Sequence, residues 1–129
     1  MGTIKTIYVI DDDDIIIYLT NKLLMREKFC ETILPFSSAV AALNELKKAL
    51  DSGDNVPDLI LFDINMPGMD GWMFIEEFRK LNTPIPTFIF TSSIDPKDRE
   101  KSYRYREIKD FIIKPITKIT IDKIKRLMD

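Results

Sequence analysis

Leu59-Ile60-Leu61-Phe62-Asp63, read as LILFD, decides the fold. The four apolar residues have no polar break, Pro57-Asp58 stands before them, and the loop Met66–Gly71 (MPGMDG) follows. A strand with one wet face alternates apolar and polar residues. A short continuous run closed by turn residues at both ends fits a strand covered on both faces. Thr87–Phe90 (TFIF) has the same character, and Ile4–Ile10 and Phe111–Ile113 also read as strands. Thr32–Phe36 is a short strand weakened by Pro35.

Segments of helical period lie between these runs. Ile15–Lys28 is capped from the acidic run Asp11–Asp14. Ala39–Ser52 has Ser37 or Ser38 as its cap and Gly53 as its stop. Trp72–Leu81 carries Phe74, Phe78 and Leu81 on one side, and Asp98–Tyr105 and Ile119–Met128 complete the series. Strands and helices thus alternate with short connections. That pattern predicts an α/β fold: a doubly wound parallel sheet with helices on both faces. On the first helix, Ile16, Leu19 and Leu23 are assigned to the core, with Tyr18 and Met25 opposite.

The bulk composition narrows the function. The chain has 129 residues, 45% hydrophobic and 31% charged, which fits one globular domain and argues against disorder. A net charge of -2 gives no electrostatic footprint for direct nucleic-acid binding. The only basic cluster is a modest one at Lys123, Lys125 and Arg126. No apolar run is long enough to span a membrane, and the amino terminus lacks the features of a signal peptide. Met1-Gly2-Thr3 opens like a myristoylation start, but Thr6 falls in a strand-like segment and the match is read as chance. The single Cys30 cannot form an internal disulfide, reads as a small buried hydrophobe, and leaves the reducing cytoplasm as the default setting. There is no histidine, so His-based metal sites, His general bases and Ser-His triads are excluded within the chain.

The informative polar residues fall at strand ends. The first strand ends in Asp11-Asp12, the third in Asp63, the fourth in Thr91-Ser92 and the fifth in Lys114-Pro115. In an open parallel sheet, ligands bind beyond the carboxyl ends of the strands. Each residue alone has a plain structural reading: a helix cap, a turn former, a strand threonine, a solvated lysine. Together they bring carboxylates, a hydroxyl and an ammonium to one edge. Clustered carboxylates repel unless a cation joins them, and a hard divalent ion such as Mg²⁺ resolves that repulsion. An aspartate can also act as a carboxylate nucleophile toward phosphorus. A phosphoryl group on Asp63 would meet the metal, Thr91 and Lys114, which is the charge neutralisation that phosphoryl transfer needs.

With VIDDD before a helix, PDLILFDINMPGMDG, TFIFTSS and FIIKPI in this order, the chain resembles the receiver domain of two-component response regulators. The resemblance covers essentially all of residues 1–129 as a single domain. It implies a flavodoxin-like fold of five strands and five helices in the order 2-1-3-4-5. It implies Asp63 as phosphoacceptor and Asp11 and Asp12 as the metal-binding pair, with Asp12 the more direct ligand. Asn65 would add its backbone carbonyl. Thr91 matches the switch hydroxyl, Phe111 the switch aromatic, and Lys114 the lysine that pairs with the phosphoryl group, with a cis bond between Lys114 and Pro115.

By the same resemblance, the phosphoryl donor is a phosphohistidine on a sensor histidine kinase or a histidine phosphotransfer protein. The output partner would meet the face made by the fourth helix, fifth strand and fifth helix. The chain would be no enzyme beyond its own phosphorylation and dephosphorylation. It would be a stand-alone receiver or one cut from a longer regulator or hybrid kinase, since nothing follows Asp129. Asp13 and Asp14 are extra and read as the start of the first helix. Tyr18 and Met25 resemble a kinase-docking surface, and they also read as isolated surface apolars; Tyr103–Glu107 (YRYRE) has the same two readings.

There are departures from the family pattern. Phe111 stands where Tyr is usual, Asp110 where a Gly often precedes it, and Ser92 where Ala is frequent. Ser93 occupies the position that tunes dephosphorylation in the family. A haloacid-dehalogenase-type phosphatase needs an acid two residues after the nucleophile, and Asn65 stands there. A flavodoxin reading lacks a Gly- and hydroxyl-rich phosphate loop after the first strand. The remaining alternative is a phosphorylation-independent pseudo-receiver.

Overall fold

The computed structural model describes residues 4–128. The Met1-Gly2-Thr3 pattern lies outside them. The elements run β1 (Thr6–Ile10), α1 (Asp14–Arg26), β2 (Thr32–Phe36), α2 (Ala39–Ser52), β3 (Leu59–Phe62), α3 (Gly71–Lys80), β4 (Thr87–Thr91), α4 (Pro96–Ser102), β5 (Ile108–Ile113) and α5 (Lys118–Met128). The strands form one parallel sheet in the order β2-β1-β3-β4-β5. The expected doubly wound α/β architecture is therefore present.

The continuous apolar strands are central because each pleat faces a different helix layer. Tyr8, Ile10, Ile60, Phe62, Ile89 and Phe111 point to the side covered by α2 and α3, where Leu46, Phe74 and Phe78 are buried. Ile7, Val9, Leu61, Phe88, Phe90 and Ile112 point to the side covered by α1 and α5, where Leu24, Ile121 and Ile124 are buried. Fully burying side chains of this size contributes roughly 1.5–3 kcal/mol each. Cys30 lies in the second cluster as a small buried residue.

Edge position explains the two weaker strand signals. Pro35 sits in β2, which pairs only with β1 among the described residues, so its missing N–H costs no second ladder. β5 is the opposite edge and begins at Ile108 rather than Phe111, because Lys109 and Asp110 meet solvent there.

Helix termini follow their capping residues. The Asp13 side chain accepts from the N–H groups of Ile15 and Ile16, and Asp14 fills the first turn, as expected of the two extra acids. Ser38, not Ser37, caps α2, and Gly53 closes it with a left-handed φ of 77°. Two further expectations need correction. The fourth helix is Pro96–Ser102, not Asp98–Tyr105. Its start is set by the Asp95 cap and Pro96 in the first turn, and its composition has no apolar period to mark it. On α1, Leu19 is 50% exposed rather than in the core, and the inward positions are Thr20 and Leu24, with Ile16, Ile17 and Leu23 packed beside them.

Candidate functional site

The carboxyl ends of the inner strands are tied together by backbone bonds before any side chain is considered. The Asp63 N–H donates to the Ile10 carbonyl at 3.0 Å, and the Lys114 N–H donates to the Thr91 carbonyl at 2.8 Å. The residues just past β1, β3 and β5, and the last residue of β4, are thereby held side by side.

Three of these side chains are shaped by one local device. Asp11 Oδ1 accepts from the N–H of Asp13 at 2.9 Å, Asp63 Oδ1 from Asn65 at 3.1 Å, and Thr91 Oγ1 from Ser93 at 3.2 Å. Each is a turn in which a side-chain oxygen takes the N–H two residues on. The chain leaves the sheet there, and the other oxygens of the two carboxylates are left to face the site.

Asp11, Asp12 and Asp63 each offer a carboxylate oxygen within 4.8 Å of the others. Asp11 and Asp63 are buried, while Asp12 is exposed. The Lys114 ammonium donates to Asp63 Oδ2 at 2.9 Å and pairs with Asp11 Oδ2. Lys114 is thus the internal counter-ion of the cluster. Burial lifts the Asp11 carboxyl above its usual range, against the opposing pull of Lys114 and the Asp13 N–H, and the Asp63 charge adds to the rise. Burial alone would lower the Lys114 ammonium; its bonds to Asp11 and Asp63 outweigh that and hold it above its usual value.

Thr91 is fully buried, and Phe111 is buried on the other strand of the β4–β5 pair, with the Arg99 guanidinium 5.2 Å from its ring centroid. Asn65 is exposed. The Lys114–Pro115 bond is cis. Asp11, Asp12, Asp63 and Lys114 therefore come together as one cluster, with Thr91 beside them on the adjoining strand end. The chemistry of the donor set fits a hard divalent cation, since every donor is a carboxylate oxygen.

One further residue shapes the site. A Cβ at Gly71 would lie 2.5 Å from the Asp63 carbonyl oxygen and 2.5 Å from the Ile64 Cα. The Gly71 N–H donates to the Ile64 carbonyl at 3.1 Å. Only glycine lets α3 begin this close to the end of β3, and the sole sequence signal was the final G of MPGMDG. A separate cleft of about 480 Å³, lined by Phe78, Arg79, Ile85, Arg106 and Lys109 among others, opens at the amino ends of β4 and β5. None of the acidic cluster lines it.

The family described as the response regulator receiver domain matches residues 7–126, and the chain belongs to that family. The two-component response regulator ARR14 of Arabidopsis thaliana is 32% identical over 111 residues, covering 85% of this chain and 27% of that protein. The sensor histidine kinase CheAY of Helicobacter pylori is 36% identical over 86 residues, covering 65% of this chain and 10% of that protein. This chain thus spans between 10% and 27% of the length of those relatives. Among solved structures, a two-component response regulator from Cytophaga hutchinsonii superposes with a TM-score of 0.89 at 29% identity over 98% of both chains. No described helix is long and apolar enough to cross a membrane.

Proposed function

We propose that this receiver is a phosphorylation-dependent switch in which Asp63 accepts a phosphoryl group from a partner's phosphohistidine. The observation that carries this reading is the Asp11–Asp12–Asp63 cluster with Lys114 bonded to two of its members. An Asp63 oxygen forms the new O–P bond as the donor's P–N bond breaks, and the imidazole leaves with that electron pair. Lys114, already charged and hydrogen-bonded at Asp63, neutralises an equatorial phosphoryl oxygen. Asp11, Asp12, Asp63 and the backbone carbonyl of Asn65 would hold Mg²⁺. When bound, the ion supplies positive charge to the phosphoryl oxygens and relieves repulsion among the carboxylates. The Thr91 hydroxyl donates to a phosphoryl oxygen, Phe111 follows by a change of rotamer, and the face made by α4, β5 and α5 presents the result to an output partner.

The donor is a sensor histidine kinase or histidine phosphotransfer protein in the cytoplasm. It would dock where α1, the helix that follows Asp11–Asp13, leaves Ile15, Tyr18, Leu19 and Met25 exposed. No catalysis is proposed beyond the domain's own phosphorylation and dephosphorylation.

The test is intact mass after incubation with Mg²⁺ and acetyl phosphate, with Asp63→Asn alongside. One added phosphoryl group, absent without Mg²⁺ and in the variant, is the expected result. No adduct, together with no binding of beryllofluoride, would overturn it in favour of a pseudo-receiver.

A further inference from the structure

Among the described helices, α4 is the one without an apolar stripe. Its sequence, Pro96-Lys97-Asp98-Arg99-Glu100-Lys101-Ser102, has no aliphatic or aromatic side chain beyond the Pro96 ring. Its one buried residue is Ser102, whose hydroxyl donates to the Arg99 carbonyl within the helix. A surface helix is ordinarily fixed by an apolar stripe, and seven residues are too few to be helical on propensity alone. Polar contacts must therefore keep α4 in place.

Those contacts converge on the switch. The Ser93 N–H donates to Thr91 Oγ1 at 3.2 Å, while the Ser93 hydroxyl donates to Asp98 Oδ2 at 2.5 Å. The Asp95 N–H donates to the same Ser93 oxygen at 3.3 Å. Ser93 is thus bonded on one side to the Thr91 hydroxyl and on the other to the cap and first turn of α4. The next residue, Arg99, lies over the Phe111 ring, and the Lys101 ammonium is 4.7 Å from the Trp72 ring centroid.

We propose that Ser93 is the pivot of a strut joining the Thr91 hydroxyl to α4, with Asp98 and Arg99 as the positioning residues that respond to it. Its role in signalling rests on the phosphoacceptor reading above. Thr91 Oγ1 now serves as the acceptor for Ser93. If the hydroxyl turns to donate to a phosphoryl oxygen, its lone pairs leave the Ser93 N–H. Ser93 then no longer fixes Asp98, Arg99 slides off the aromatic ring, and Phe111 and α4 are released together. The residues that hold α4 in the resting state are those that sense the Thr91 rotamer.

Amide hydrogen exchange of residues 96–103 tests this in the full chain. In the unmodified protein, Ser93→Ala, Asp98→Asn and Thr91→Val should each speed α4 exchange about tenfold, the worth of the hydrogen bond that each removes or weakens. β3 and α2 should keep their rates. Thr91→Val combined with Asp98→Asn should speed exchange no more than either alone, since both cut one strut. Unchanged α4 rates in Ser93→Ala and Asp98→Asn, or additive effects in the double variant, would overturn the strut. Beryllofluoride with Mg²⁺ should speed α4 exchange in the wild type and add nothing in Ser93→Ala. Bound beryllofluoride, verified by fluorine NMR, with unchanged wild-type α4 exchange would overturn the coupling. Absence of beryllofluoride binding would count against the phosphoacceptor reading instead, and the Thr91–Asp98 double variant still decides the strut.

Discussion

Lys114 holds two buried carboxylates that would otherwise repel each other. Replacing it with Met leaves Asp11 and Asp63 without their cation, which should cost about 3 kcal/mol in metal-free buffer. Mg²⁺ should restore part of that loss, so thermal melts with and without the ion should show a larger upward shift in Lys114→Met than in the wild type. An equal shift would mean that Lys114 is not the counter-ion that the metal relieves. Cys30 offers a second test at this scale. Burial pushes its thiol from 9.0 up to about 11. The folded state therefore keeps a proton that the unfolded state loses. The stability this gives is fully present below about pH 9 and is lost as pH rises toward 11. The stability gap between wild type and Cys30→Ala, measured by urea unfolding, should hold steady to pH 9 and then narrow by up to about 2 kcal/mol. The same burial should make native Cys30 slow toward alkylating reagents.

At the level of elements, what was legible in the sequence is what burial and capping dictate. LILFD and TFIF are strands packed on both faces, and their apolar runs show it. Asp13, Ser38 and Gly53 are local signals that act within a few residues. The expectation fails where apolar periodicity gives no single answer. α4 has no period to detect, and its start is set by Asp95-Pro96, a cap and first-turn proline that leave no apolar trace. The inward face of α1 was set one position out at Leu19, because with so many apolar residues several helical phases fit equally well. The requirement for glycine at position 71 shows in no periodic pattern, since its reason is the backbone of Asp63 and Ile64 just past the end of β3. Gly71→Ala should force the start of α3 away from Asp63 and Ile64, with a loss of roughly 1–3 kcal/mol. Urea unfolding measures that loss, and acetyl phosphate labelling should fall with it if Asp63 moves. Full stability and full labelling in this variant would show that the close approach is not required.

Across the whole molecule, the acidic and hydroxyl residues could be placed at one sheet edge from sequence because a parallel sheet points all its strands the same way. The ion pairing of Lys114 with both Asp11 and Asp63, and the bonds from Ser93 into α4, could not be. They link strand ends and loops that only the assembled sheet brings together. The same assembly sets the apolar surface of α1 apart from the chemistry of Asp63. Leu19→Ala with Tyr18→Ala should therefore slow phosphoryl transfer from a phosphohistidine protein by about tenfold, as loss of an interface anchor does. Labelling by acetyl phosphate should be unchanged. A parallel drop in both rates would place the defect in folding or in the site rather than in docking.

The turns that follow β1, β3 and β4 carry a broader consequence. Asp11, Asp63 and Thr91 each spend an oxygen fastening the backbone just downstream of themselves. The same side chains that would meet a visitor, Asp11 and Asp63 through their other oxygen, also set the course of three loops on the molecular surface. Any occupant that recruits one of these oxygens competes with the fold for it, and the disturbance is felt in a loop that a partner protein can touch.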